Sequence, residues 1–300
     1  LSNMFGKPTI ASASTTLGHL ASLPVLVEKD DIVIVDLQVH SSVQMSTQIL
    51  KSNKIPVYVI PHNCMESLET KIKSLQGKTT GKIWYLADGV YSMYGDFAPL
   101  KELEALMNKY DKFHLYIDDA HGMGWTGQNG VGYVRSQIAH HKKMTLVTSL
   151  NKSFAASGGV IVFPDKKSWR KVKNCGTTLI FSGPIQPPML GAAITSAQIH
   201  QSKDYKNDQK EFNKKITYTN KRLNELDLPQ FQESESPLFF IPVGLPKITR
   251  NIIQRMKKGG FYVDAAAYPA VPMKKGGIRF MVNNNLSYRE IDEMLQYLQK

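Results

Sequence analysis

One lysine and one aspartate in this sequence sit where chemistry is easier to explain than packing. Lys152 lies in "SLNKSFAASGG" (149–159), among small and partly apolar residues that should hydrate an ammonium poorly. Desolvation lowers a lysine pKa and leaves a usable amine nucleophile, able to form a Schiff base with a carbonyl compound. Asp118 ends the apolar run "FHLYID" (113–118) and is followed by Asp119 and His121. A carboxylate where a core strand stops answers a positive charge docked there. Pyridoxal phosphate (PLP) is the common cofactor that joins a carbonyl to a ring nitrogen needing an acidic partner. On this reading Asp118 keeps the pyridine nitrogen protonated and His121 donates to the ring's phenolic oxygen. The phosphate would fall to Ser149, three residues before Lys152, or to main-chain N–H groups of "SASTTLG" (12–18) if a helix begins there.

The elements that must position these residues follow from the hydrophobic pattern. "DIVIVD" (31–36), "PVYVI" (56–60), "KIWYLA" (82–87), "HLYID" (114–118), "MTLVTS" (144–149) and "GVIVF" (159–163) read as strands. Several are apolar without alternation, as in strands covered on both faces. Helical patterns lie between them: "SSVQMSTQILKSN", "MESLETKIKSLQ" and "PLKELEALMNKY". Asn63 with Glu66, and Ser287 with Glu290, have capping-box spacing. Such alternation predicts an α/β fold with a mostly parallel central sheet and helices on both faces. Ligands of such sheets sit at the carboxyl ends of the strands. Those ends offer His40, then Asp88 and Ser92, then Asp118 and His121, then Ser149 and Lys152. After about residue 185 the pattern changes to a long helical stretch ending near Leu226, followed by strand, helix, strand and helix. This predicts a large domain over 1–185 and a smaller C-terminal α+β domain over 186–300.

Composition bounds the function classes. The 300 residues are 42% hydrophobic and 21% charged, with a formal net charge of +12. The excess suits an anionic partner or a solvated basic surface. The lysines of 203–222 alternate with Asp, Glu and Asn at helical spacing, and no aromatic platforms interleave with arginine. Nucleic acid is therefore not expected as a partner. Cys64 and Cys175 have no metal-binding or redox spacing, so no metal is expected, and a reducing, cytoplasmic setting fits. No apolar run approaches the roughly 18 residues of a membrane span.

The motifs "DGVYSMYGDFAPL" (88–100), "YIDDAHGMGWTGQNGVG" (116–132), "TSLNKSFAASGG" (148–159) and "YPAVPMKKGGIRF" (268–280) together resemble the α-oxoamine synthase family of fold-type-I PLP enzymes, in order and spacing. That family includes aminoketobutyrate CoA ligase, amino-oxononanoate synthase, aminolevulinate synthase and serine palmitoyltransferase. The resemblance implies an acyltransferase that condenses an amino acid with an acyl-CoA, usually with decarboxylation, to give an aminoketone and free CoA. It implies Lys152 as Schiff-base lysine and general base, Asp118 on the pyridine nitrogen, His121 on the phenolic oxygen and His40 stacked on the ring. Ser92 matches a cofactor-contacting serine, Ser149 a phosphate-binding hydroxyl, and Thr15 and Thr16 the place of a phosphate-binding Gly-aromatic pair. Ser182 and Gly183 match a segment that reaches the neighbouring subunit's phosphate, so a homodimer is expected. Arg279 matches the arginine that grips the amino-acid carboxylate. The chain departs from the family at Thr15-Thr16, at Val39 where asparagine is usual, at Ala155 where glycine is usual, and in "MVNNN" after Arg279. Family members also carry an N-terminal arm before the stretch matching Leu1, which contributes to the acyl-CoA site.

Each residue alone has a duller reading: a capped turn, a structural histidine, a surface lysine, an ordinary ion pair. His19, His62, His114, His140, His141 and His200 are assigned structural roles. The competing functions are an aminotransferase or carbon–carbon lyase on the same scaffold and, from another class, a non-catalytic basic binding protein.

Overall fold

The computed structural model describes residues 1–300. They pack into two compact units, one of Leu1–Val90 with Phe97–Tyr205, the other of Tyr91–Asp96 with Lys206–Lys300. The division falls after Tyr205 rather than near 185. The helix Pro187–His200 explains this, because it is tied to the first unit: Ser196 Oγ donates to Phe154 O, and His200 stacks on Phe154 at 4.6 Å.

The first unit runs α1 (Ser2–Phe5), β1 (Thr9–Ser12), α2 (Thr15–Leu26), β2 (Ile32–Asp36), α3 (Ser41–Ser52), β3 (Val57–Ile60), α4 (Met65–Leu75) and β4 (Ile83–Asp88). It continues with α5 (Leu100–Lys109), β5 (Phe113–Asp118), α6 (Tyr133–Gln137), β6 (Met144–Ser149), β7 (Gly159–Val162), α7 (Lys166–Cys175), α8 (Thr177–Ile180) and α9 (Pro187–His200). Its seven-stranded sheet has the order β1-β7-β6-β5-β4-β2-β3. β2 to β6 are parallel, and β7 is antiparallel to both neighbours. β2, β4, β6 and β7 are buried along their whole length, which is why their sequences do not alternate. One core layer joins Leu23 and Leu26 of α2 and Val43 and Leu50 of α3 to Val33, Leu86, Tyr116 and Val147 of the sheet.

The chain leaves β2 toward β3 on one side and resumes in β4 on the other. The topological switch point, where open α/β sheets hold their ligands, thus lies between β2 and β4. The expected mostly parallel sheet is present. β1 was not legible in the sequence, since its "TIAS" is a short edge segment with only Ser12 buried.

The second unit holds α10 (Tyr205–Glu225, its first residue counted with the first unit), β8 (Leu238–Gly244), α11 (Pro246–Lys258), β9 (Asp264–Ala266), β10 (Gly276–Met281) and α12 (Tyr288–Gln299). Its antiparallel sheet has the order β8-β10-β9. Tyr94 stacks on Phe231 at 4.6 Å and meets Phe240 edge-on at 4.8 Å, anchoring the excursion 91–96. The box at Ser287 forms: its Oγ accepts from Glu290 N, and Glu290 Oε2 accepts from Ser287 N at 2.7 Å. The box at Asn63 does not. The cap of α4 is Cys64, and Asn63 adopts φ +49° so that its N–H reaches Asp36 Oδ2 at 2.8 Å. A buried carboxylate at the end of β2 outbids local capping. The long helical stretch expected after 185 is two helices, α9 and α10, broken at 201–204. No helix is long and apolar enough to cross a membrane.

Candidate active site

At the carboxyl ends of β2, β4, β5 and β6, beside the first turn of α2, a cavity of about 220 Å³ opens. Sites for drug-sized ligands span roughly 300–1,000 Å³, so this one takes a single small group rather than an extended acyl-CoA. Thr15, Thr16, His40, Asp118, His121, Ser149 and Lys152 all line it, as do Ser14, Ser42, Asp88 and Asn151.

α2 begins where the phosphate alternative required. Ser14 is extended and its Oγ accepts from Leu17 N at 3.1 Å. The N–H groups of Thr15 and Thr16 in that first turn have no acceptor within the helix, and they carry its positive end. Gly159 makes this placement possible, since a Cβ there would stand 2.6–2.7 Å from Thr15 Cα and N. Ser149 Oγ accepts from Asn151 N at 3.1 Å, and Asn151 Oδ1 accepts from Gly158 N at 2.7 Å. These bonds shape the turn that carries Lys152.

Asp88 and Asp118 are aligned neighbours at the ends of β4 and β5. Asp118 Oδ1 accepts from Ala120 N, and Oδ2 meets His19 Nε2, both at 2.9 Å. Burial would raise the Asp118 pKa. The charge and hydrogen bond of His19, with Lys152 and the Ala120 N–H, outweigh it and hold the carboxyl at about 2. Burial, reinforced by the Asp118 charge, pushes Asp88 well above the usual carboxylate range. The pair therefore carries its one charge on Asp118. Both Asp88 oxygens accept from His40 N at 3.2 Å, which fixes the chain at the switch point. His40 Nδ1 lies 2.7 Å from Ser42 Oγ and accepts from Ser42 N, so its Nε2 carries the ring's proton in the neutral form. Partial desolvation lowers the His40 pKa, Asp118 opposing it.

The expectation that Lys152 is poorly hydrated is not met. It stands at the rim of the cavity on an exposed turn, because Asn151, Lys152 and Ser153 form the crest of the β6–β7 connection. Its charge still reaches Asp118, Asp88 and His40. Ser182 and Gly183 are exposed in the first unit and do not line the cavity. Ser92 and Arg279 belong to the second unit, where Arg279 Nε donates to Ser92 O at 2.7 Å and Nη1 pairs with Asp264 at 3.3 Å.

The residue missed by the sequence reading is His19, treated there as structural. It is fully buried on α2 and directly bonded to Asp118. A signal was available: Thr15, His19 and Ser22 recur at i, i+4 and i+7, a polar stripe on a helix whose other positions are rich in leucine.

The cavity suits PLP group for group. An ionised carboxylate answers the ring nitrogen, a helix N-terminus answers the phosphate, and an amine at the rim answers the aldehyde.

The chain belongs to the aminotransferase class I and II family, whose profile matches residues 8–298, and its fold is that of the fold-type-I PLP enzymes. Within that family its relatives are α-oxoamine synthases. It is 27% identical over 294 residues to 8-amino-7-oxononanoate synthase of Thermosipho melanesiensis, covering 98% of this chain and 73% of that protein. It is 29% identical over 290 residues to a putative 8-amino-7-oxononanoate synthase of Aquifex aeolicus, with 95% and 73% covered. Serine palmitoyltransferase of S. paucimobilis, solved with a PLP–myriocin aldimine, superposes with a TM-score of 0.90 at 23% identity, over 99% of this chain and 73% of that one.

Proposed function

We propose that this chain is a PLP-dependent acyltransferase that condenses an amino acid with an acyl-CoA to give an aminoketone and free CoA. The observation that carries the reading is the convergence of an ionised Asp118, His121, His40, Ser149, Lys152 and the first turn of α2 on one small cavity. When bound, PLP supplies an electron sink for the negative charge left on the amino acid's α-carbon.

The chain's own residues supply the rest. Asp118 holds the proton on the ring nitrogen, and a full carboxylate is needed for that. His121 donates to the phenolic oxygen, and His40 covers one face of the ring. The N–H groups of Thr15 and Thr16, their hydroxyls and Ser149 Oγ bind the phosphate. Lys152 would hold the cofactor's aldehyde carbon, and its amine, when free, would take the substrate's α-proton as general base. Arg279 grips the substrate carboxylate through its guanidinium fork. The net charge of +12 favours approach of CoA's phosphates.

A homodimer is part of the proposal. Ser182 and Gly183 are flanked by Phe181, 85% exposed, and by the exposed Ile180, Met189, Leu190 and Ile194. An apolar surface of this kind is suited to a second copy, which would receive Ser182 and Gly183.

The test is to incubate the protein and PLP with glycine, alanine or serine and a panel of acyl-CoAs, following free thiol. Thiol release that needs both substrates supports the proposal. Amino-group transfer to a keto acid without thiol release would replace it with an aminotransferase.

A further inference from the structure

Asp118 is backed by a buried chain of hydrogen bonds whose proton count fixes the state of His19. Ser22 Oγ donates to Gly18 O at 2.7 Å, so its only proton is committed. Tyr116 Oη lies 2.7 Å from Ser22 Oγ and must donate to it. Its remaining capacity toward His19 Nδ1, 2.9 Å away, is as an acceptor, so Nδ1 carries a proton. Nε2, 2.9 Å from Asp118 Oδ2, donates as well, because an ionised carboxylate only accepts. Both ring nitrogens donate, which is the imidazolium.

We infer that His19 is a positioning residue: as a buried imidazolium it fixes the charge and orientation of Asp118, leaving that carboxylate to face a cationic heterocycle in the cavity. The inference rests on the proposed function for what Asp118 faces, and on the hydrogen-bond chain alone for the state of His19. His19 does not line the cavity, so it acts only through Asp118.

The charge is sustainable because the pair is buried together. An isolated buried ion is costly, whereas a paired and hydrogen-bonded one is tolerated. Tyr116 and Asp118 face His19 from β5. His40 from the start of α3, Asp88 from the end of β4 and Lys152 from the β6–β7 turn complete the titratable groups around the pair. A leucine at position 19 would strand both Tyr116 Oη and Asp118 Oδ2.

The experiment uses protein labelled with ¹⁵N at histidine, in wild type, His19→Gln and Tyr116→Phe, with and without PLP. In cofactor-free wild type at neutral pH, both His19 nitrogens should show protonated shifts, as the hydrogen-bond chain requires. Tyr116→Phe should lose the Nδ1 proton at that pH. His19→Gln, folded by circular dichroism, should bind PLP about tenfold more weakly, the scale of one charged hydrogen bond. It should also move the pH at which the bound cofactor's visible absorbance titrates, which a purely structural role would leave in place. An unprotonated Nδ1 in wild type at neutral pH overturns the inference, as does His19→Gln with unchanged affinity and absorbance titration. If wild type failed to bind PLP while both His19 nitrogens stayed protonated, the state of His19 would stand and the proposed function would fall.

Discussion

Asp118 and Asp119 are adjacent, both buried, and driven in opposite directions. His19 holds Asp118 low, whereas burial pushes Asp119 well up, with the Val134 N–H only partly opposing. Asp118→Asn removes the charge the ring nitrogen needs, and turnover should fall at least about a hundredfold, the lower reach of general acid–base effects, measured as thiol release at saturating PLP. Arg279→Lys keeps the charge but loses the fork. It should raise the KM for the amino acid roughly tenfold or more while leaving PLP affinity unchanged, as expected where a guanidinium is not interchangeable with an ammonium. His114 gives a stability prediction. Burial holds its pKa down at about 4 from 6.5, so it is neutral in the fold and must charge in acid. Its contribution is full above about pH 6.5 and lost as pH falls toward 4. His114→Gln should flatten wild-type stability over that window by on the order of 2 kcal/mol, after allowance for partial exposure, read from urea midpoints. At this scale the sequence displayed types and spacings well, as with Asp118, His121 and Lys152. It did not display partners: that His19 meets Asp118, 99 positions away, depends on the face of α2 that turns to the sheet.

The elements carry the site because two of them come unusually close. Gly159 on β7 lets the first turn of α2 approach, so Gly159→Ala should displace that turn and weaken PLP binding, by equilibrium titration, about tenfold or more, the cost of losing one or two charged hydrogen bonds. Ala155, at the usual place of a glycine, holds φ +56° in the turn carrying Lys152. Left-handed backbone costs a non-glycine residue roughly 1–2 kcal/mol, partly offset by the flexibility a glycine adds to the unfolded chain. Ala155→Gly should therefore raise stability by about 0.5–1 kcal/mol in thermal unfolding. Strands buried on both faces were readable from unbroken apolar runs, and the Ser287 cap from its spacing. β1, β9 and the break between α9 and α10 were not. β9 is three residues long with only Ala266 buried, and "HQSKDY" across the break contains neither glycine nor proline to mark it.

For the whole molecule, the proposal requires two copies. The proposed second copy would cover Phe181, Ile180 and Ile194, which are exposed in the single chain. Sedimentation should give a dimer, and Ile194→Asp should give monomers that lose PLP on dilution. The charge of +12 was legible from composition, but its use was not, since a solvated surface and a CoA-attracting one have the same count.

The central claim is a cofactor linked to the amine of Lys152 with its ring nitrogen on Asp118. The most direct measurement is the visible spectrum of the purified protein with PLP before and after borohydride, followed by mass mapping of the labelled lysine. Loss of the visible band with a single stable adduct on the peptide containing Lys152, absent in Lys152→Ala, is the predicted result. An adduct on another lysine, or no adduct at all, would contradict the account.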